Sequence, residues 1–389
     1  MNIARVEAYA VRISRNLASA TGTAGSPARL LNAEAIESEY RWAENFRTVY
    51  STDFRTTVVR VDTDDGLVGW GEAQSPVAPE VSKTIINCLL APLIIGQPVA
   101  PEVLWSRMYS AMRVRGHSGG FLLDAIAGVD IALWDLLGKT TGQPLCRLLG
   151  GPFATSLPSY VSGLAGNNES EKLAYAVDQA QQGARMLKLF LDATEDECLR
   201  LIDRIRERCD ASVAVDALWR LSAKSARQFA EELAKRKVRW LEAPLAPEDV
   251  AGHGELAAAT TVPIAIGESY RTRFELLPFF QARALDLLQP DIGRTGITEA
   301  RKIAALGDTF HIPVSPHLSI GLGPQIAAAL HLSAAIPNLE IVECNPKVFD
   351  IANRFLLTPL SFSPSAITVP DGPGLGIAID EQALKEVIQ

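Results

Sequence analysis

The second half of the chain is a succession of short apolar runs, each closed by one ionisable side chain and separated by helix-like stretches. SVAVD ends at Asp216, VRWLE at Glu242, PIAIGE at Glu268, LDLLQPD at Asp291, IPVSPH at His317 and LEIVE at Glu343. The steps between these six residues are 26, 26, 23, 26 and 26. Between the runs lie amphipathic segments such as SAKSARQFAEELAKRK (222–237) and GITEARKIAALGDTF (296–310). This alternation predicts successive βα units. Two earlier runs, LPSYVSG (157–163) and ARMLKLFL (184–191), supply the first two strands. A parallel barrel built this way gathers its strand C-termini at one mouth, where catalytic side chains converge.

The first part of the chain reads differently. Residues 3–13 and 55–73 predict strands, and Asp64-Asp65-Gly66 within TTVVRVDTDDGLVGWGEA predicts a hairpin turn. Residues 14–52 show no sustained period, and a loop of that length in a compact domain is usually functional or disordered. Residues 79–115 and 121–138 predict helices, the second with Leu123, Ile126, Ala127, Ile131 and Trp134 on one face. After Glu343 the pattern breaks. SAITVPDGPGLGIAID (365–380) is strand-and-turn material expected to stay out of the barrel and return to the N-terminal part. The expected fold class is α/β: a modified (β/α) barrel of the TIM type, residues 126–345, under an α+β cap. The cap is expected to comprise residues 1–125 and the returning tail, 346–389.

Composition narrows the function. A chain of 389 residues suggests about two domains. Its 48% hydrophobic and 21% charged residues suit a soluble globular protein. A net charge of −8 and pI near 5.3 leave no basic stripe, so no nucleic-acid partner is expected. The five cysteines form no C-x-x-C pair, which fits a reducing compartment. MNIARVEAYAVRI carries Arg5 and Glu7 where a secretory signal needs an apolar stretch, and no run is long enough to span a bilayer. The expectation is a cytoplasmic protein without a membrane partner.

Asp216, Glu242 and Glu268 are three carboxylates on consecutive units with no Cys or His among them. Hard oxygen ligands in that number suit Mg²⁺, which keeps further positions for water and substrate. Asp291 and His317 end the next two strands, so the carboxylate can hold one ring nitrogen and raise the basicity of the other. Lys188, in the second strand, can face either a substrate carboxylate or a metal-ligand carboxylate. Glu343 closes the ring and can donate a hydrogen bond if burial keeps it protonated. Metal, cation, base and acid together describe abstraction of a proton next to a carboxylate, with negative charge building on oxygen.

These residues resemble the enolase superfamily, in particular its mandelate racemase-like subgroup. The stretches that carry the likeness are GLVGWGEA, GVDIALWDLLGK with GQPLCRLLGG, Lys188 in its strand, the three carboxylates, QPDIGRTG, SPHLS, the VEC segment and VPDGPGLGI. A Lys or His base working with Mg²⁺ is the general pattern of that superfamily. The resemblance implies Mg²⁺, or Mn²⁺ in its place, on Asp216, Glu242 and Glu268. It implies a base dyad of Asp291 and His317, Glu343 as electrophilic acid and Arg294 supporting the dyad. Residues 14–52 would form the specificity lid, with Arg29 and Tyr50 toward a small-molecule carboxylate substrate. A homo-oligomer is implied as well.

Two positions depart from the subgroup. Its racemases carry Lys-x-Lys on the second strand, whereas this chain has Lys188-Leu189-Phe190, with a ring that accepts no proton. The Asn often found two residues past the first metal ligand is here Leu218. A base on one face removes a proton but does not readily return it to the other. The expected activity is therefore acid-sugar dehydration, of an aldonate or aldarate to a 2-keto-3-deoxy acid. A cycloisomerase or epimerase, or a barrel that binds without turnover, stands as the alternative.

Overall fold

The computed structural model describes residues 1–14, 39–44, 47–318 and 320–389. In the cap, β1 (Ile3–Ile13), β4 (Phe54–Thr63) and β5 (Val68–Ala73) form an antiparallel sheet in the order β1-β4-β5. Gly66, at φ 88°, makes the turn between β4 and β5, a backbone region that Gly enters at little cost. Two short strands, β2 (Tyr40–Ala43) and β3 (Thr48–Ser51), pair as a separate hairpin. That hairpin lies inside the segment expected to be irregular, because four-residue strands are too short to set up a readable period. The helical region expected over 79–115 is broken: Pro79–Ile85, a π-turn at Ile86–Leu90 and Ala91–Ile94 precede Gly96 and Pro98, and Pro101–Arg113 follows.

The helix Phe121–Thr141 joins cap to barrel and is buried along nearly its whole length. It rests on β5 at two glycines. A Cβ on Gly71 would lie 1.9 Å from the Gly128 carbonyl oxygen, and one on Gly128 would meet Val59 and Ala73 at about 3 Å. Asp135, on the same helix, accepts the Trp70 and Leu375 backbone N–H groups, both at 2.9 Å, binding cap strand and C-terminal tail to one side chain.

The barrel strands are β6 (Ser156–Ser162), β7 (Met186–Phe190), β8 (Ser212–Asp216), β9 (Leu241–Glu242), β10 (Ile264–Ile266), β11 (Leu287–Leu288) and β12 (Val342–Cys344). They pair in parallel from β6 through β11. Single bridges, Leu288 with Val314, Asp291 with His317 and Val314 with Leu339, carry the pairing onward, and β12 pairs back to β6. Helices between the strands are cut by their caps. Ser222 and Ser225 form a capping box for Ala223–Lys235, which buries Ala226, Phe229, Ala230 and Leu233 at helical spacing.

Inside the barrel, Tyr160, Met186, Ala214, Trp240, Ala265 and Leu287 form one apolar cluster. Side chains alternate along a strand, so residues two further on share that inward face. Those residues include Ser162, Lys188, Asp216, Glu242 and Gln289, which places polar groups directly above an apolar floor.

The tail departs from expectation. Ala366–Thr368 (β14), in a hairpin with Phe362–Ser363 (β13), pairs antiparallel with β6. β12 covers β6 only at Ser159–Val161, leaving the edge at Ser156–Pro158 open for β14. The last residues do reach the cap, where Ile388 bridges Val11 and the Gln389 N–H donates to the Ala10 carbonyl. Among the described residues no helix is long and apolar enough to cross a membrane.

The glycine contact sets the cap on the barrel, so Gly71→Ala should destabilise the protein by about 1–3 kcal/mol, the usual cost of overpacking. Urea or thermal unfolding of the variant checks this, and an unchanged midpoint would contradict the packing described.

Candidate active site

Asp216, Glu242 and Glu268 bring one carboxylate oxygen each to within 4.8 Å of one another at the barrel mouth. Asp216 and Glu242 are paired neighbours across β8 and β9, and Glu268 follows the end of β10. Each carboxylate has a fixed surrounding. The Leu218 N–H donates to Asp216 Oδ1 at 2.9 Å. Glu242 Oε2 accepts from Gln289 Nε2 at 2.7 Å and Trp240 Nε1 at 3.1 Å, which leaves Oε1 turned to the cluster. Trp219 Nε1 donates to Glu268 Oε1 at 2.7 Å. Three hard oxygen donors, oriented by neutral N–H groups, fit a divalent cation.

Lys188 stands among them, almost fully buried, with Nζ 2.6 Å from Glu242 Oε1, 3.0 Å from Glu343 Oε1 and 3.9 Å from Asp216 Oδ2. Burial alone would favour the neutral amine, yet Glu242 and Glu343 outweigh it and hold the ammonium charged. The Phe190 ring lies under that ammonium, its centroid 5.8 Å from Nζ.

The dyad is assembled. His317 Nδ1 lies 2.6 Å from Asp291 Oδ2, and His317 Nε2 lies 3.0 Å from Glu268 Oε2. With a carboxylate on each nitrogen the ring is held as imidazolium; burial opposes this, but Glu343, Glu268 and Asp291 push its pKa well up. Asp291 Oδ1 accepts the Gly293 N–H at 2.9 Å. The Cβ that any other residue would carry at 293 would collide with Gln325 Oε1 at 2.1 Å.

The surroundings of Glu343, Arg294 and the lid residues differ in how they bear on the expectations. Burial raises the Glu343 pKa, but Lys188 and His317, helped by the Ser162 hydroxyl and the Leu318 N–H at 2.6 Å, bring it down to about 2, so its surroundings favour the carboxylate over the expected protonated acid. Arg294 does not brace the dyad through its side chain. Its Nε is buried without a hydrogen-bond partner, and its charge acts on Asp124, which Arg271 also grips at 3.0 and 3.2 Å. The dyad is steadied instead by the Gly293 amide. Of the lid residues, Tyr50 sits on β3 opposite Arg41, while Arg29 lies outside the described residues.

Leu218 and Trp219 both adopt left-handed backbone, φ 55° and 59°, directly after the first carboxylate strand. Such conformations are costly for non-Gly residues and concentrate at functional sites. They swing Trp219 onto Glu268, where edge contacts with His253 and Tyr270, both 6.1 Å between centroids, pin the indole. Sequence reasoning missed Trp219, Gln289 and Trp240. Gln289 and Trp240 were accessible through strand alternation, but nothing in the sequence marks the turn that places Trp219.

This architecture has known counterparts. Residues 42–150 match the mandelate racemase/muconate lactonizing enzyme N-terminal domain, and residues 172–383 match the enolase C-terminal domain-like family. The chain therefore belongs to the mandelate racemase-like group of the enolase superfamily, a family of enzymes. It is 32% identical to a D-galactarolactone cycloisomerase of Agrobacterium fabrum, over 85% of this chain and 90% of that protein. It is also 32% identical to a D-galactonate dehydratase of Cronobacter sakazakii, over 86% of this chain and 91% of the relative. A crystal structure of an enolase superfamily member from Agrobacterium tumefaciens superposes with a TM-score of 0.94 at 32% identity, covering 100% of this chain and 99% of that one.

Burial and the Glu242 charge push the pKa of Asp216 well up, which favours its protonated form where no cation is bound. A cation needs the carboxylate, so binding should release protons and tighten as pH rises. Calorimetric titration with Mg²⁺ in two buffers of different ionisation enthalpy measures that release. Equal heats in both buffers, with affinity independent of pH, would contradict it.

Proposed function

We propose that the chain catalyses β-elimination on a sugar acid, with Mg²⁺ on Asp216, Glu242 and Glu268. His317 takes the proton next to the carboxylate, and the substituent on the neighbouring carbon leaves, giving an enol that becomes a 2-keto-3-deoxy acid as its hydroxyl loses a proton and that neighbouring carbon gains one. The observation that carries this reading is the dyad, with His317 Nδ1 locked on Asp291 Oδ2 at 2.6 Å so that Nε2 faces the mouth. A bound Mg²⁺ would supply a Lewis acid that offsets charge developing on the substrate carboxylate oxygens. Asp291 keeps the tautomer that points the lone pair of Nε2 outward once the imidazole is neutral. Lys188, an ammonium within the cluster, offers a second positive charge to the substrate carboxylate. Phe190 shields its side of the mouth and accepts no proton, which supports elimination over racemisation.

What leaves is the finer question. Dehydration breaks a C–O bond to a hydroxyl, and the His317 imidazolium would have to return the proton it took to form water. The other described histidines offer no further acid. His117 and His311 are exposed, His253 is buried behind Trp219, and His331 is bound to the Cys146 N–H and the Leu375 carbonyl. Ring opening of an aldarate lactone makes no such demand: the C–O bond breaks with a carboxylate as leaving group, which departs unprotonated. That absence favours a second reading, cycloisomerisation of a sugar-acid lactone, and the 32% relative that is a D-galactarolactone cycloisomerase supports it. Both reactions share the His317 step and the 2-keto-3-deoxy product class.

Purified protein with Mg²⁺, screened against aldonates, aldarates and aldarate lactones for 2-keto acid formation, separates the two. Turnover should vanish with EDTA and return with Mg²⁺ or Mn²⁺; full activity in metal-free buffer would contradict the cation's role. His317→Asn should lower kcat by ~10²–10⁴-fold, the range for loss of a general base. Asp291→Asn should lower it too, through the wrong tautomer. A His317→Asn protein with a near-normal rate would move the base elsewhere.

A further inference from the structure

The cap motif GLVGWGEA carries, as its penultimate residue, a carboxylate that the chemistry above does not use. Glu72, on β5, is fully buried in the cap sheet, yet three of its four hydrogen-bond contacts lie across the domain boundary. Its two oxygens accept the Leu322 N–H at 2.8 and 3.0 Å, and Oε2 also accepts the Gln325 N–H at 3.3 Å. The fourth contact, from the Thr56 hydroxyl at 2.9 Å, anchors the carboxylate to β4. Leu322 lies in the segment leading from His317 to the helix Pro324–Ala335, and Gln325 is in that helix's first turn. The helix has no side-chain cap of its own, so a carboxylate from the other domain satisfies its orphan N–H groups.

The same helix carries Gln325, whose side chain lies 3.5 Å from Asp291 Oδ1 and donates to the Ile320 carbonyl at 2.8 Å. Two residues beyond Glu72, the Gln74 N–H donates at 2.9 Å to the carbonyl of Gly293, whose own N–H holds Asp291. The end of one cap strand thus grips the chain behind both members of the dyad.

We propose that Glu72 is a positioning residue for the base: from the cap it fixes the segment behind His317 and so holds the imidazole on Asp291. The inference rests on His317 being the base, but its structural half is tested without turnover. A purely cap-internal carboxylate would need only cap donors. Here most of its donors belong to the barrel, on the chain that follows His317.

The test compares Glu72→Asp, which keeps charge but shortens the reach to Leu322, with Glu72→Gln, which keeps length and one acceptor oxygen. In the full chain with Mg²⁺ and ¹⁵N-labelled histidine, the hydrogen-bonded Nδ1–H of His317, assigned by its loss in His317→Asn, reports the dyad. Glu72→Asp should shift or broaden that resonance and lower kcat at least tenfold with little change in KM or Mg²⁺ affinity. Glu72→Gln should restore most of both. An unchanged His317 resonance in folded Glu72→Asp overturns the proposal, as does failure of both variants to fold, which would make Glu72 a structural group only. If the resonance moves as expected but His317→Asn stays active, the positioning stands and the assignment of the base fails.

Discussion

Closing a parallel barrel forces the ends of its strands together, and here those ends carry five carboxylates, four of them buried and Glu268 half-buried. Among the described residues, Asp216, Glu242, Glu268, Asp291 and Glu343 pair there with two cationic groups, Lys188 and His317. Buried charge of one sign is expensive unless it is paired or neutralised. The structure answers in three ways. Lys188 is drawn into contact with three carboxylates, two carboxylates on His317 push its pKa well up, and burial beside Glu242 pushes that of Asp216 up as well. A divalent cation would relieve the same excess more completely, and by drawing on Glu268 it would free His317 Nε2 for chemistry. The anionic crowding thus favours a cation and, in the proposed chemistry, sets the basicity of His317.

The cap matters to this site for more than access. Asp135 binds β5 and the tail to the connecting helix, and Asp124 on that helix grips Arg271, three residues beyond Glu268. Asp130, nearer its middle, accepts the Thr298 N–H and hydroxyl beside the kink at Gly296. One helix therefore carries three buried carboxylates, each fastening a different part of the molecule. Burial lifts the Asp130 carboxyl to about 7 even so, since its partners are neutral. Such contacts hold the strand-end loops, where the chemistry sits, to a rigid element.

Much of this was legible in the chain. The 26-residue ladder found the six residues that the structure brings to one mouth, because each barrel unit repeats strand, helix and turn at similar length. The cap hairpin around Gly66 was legible from its turn chemistry. What escaped had physical reasons. The β2–β3 hairpin is too short to show alternation, and the pairing of β14 with β6 depends on an edge left open by the brevity of β12. The state of Glu343 depends on an ammonium and an imidazolium that meet it only in three dimensions. Trp219 reaches Glu268 through two left-handed residues that no sequence pattern announces.

The central claim is that one base on one face, His317, does the proton transfer in a mouth whose second strand offers only Phe190 where a second base would stand. Incubation in D₂O with Mg²⁺, of the reactive acid sugar and separately of its epimer at the carbon next to the carboxylate, tests this directly by NMR. The account predicts that deuterium at that carbon, where abstraction is reversible, enters the reactive epimer alone, and that His317→Asn abolishes it. Deuterium in both epimers, or their interconversion, would reveal a second base and contradict the account.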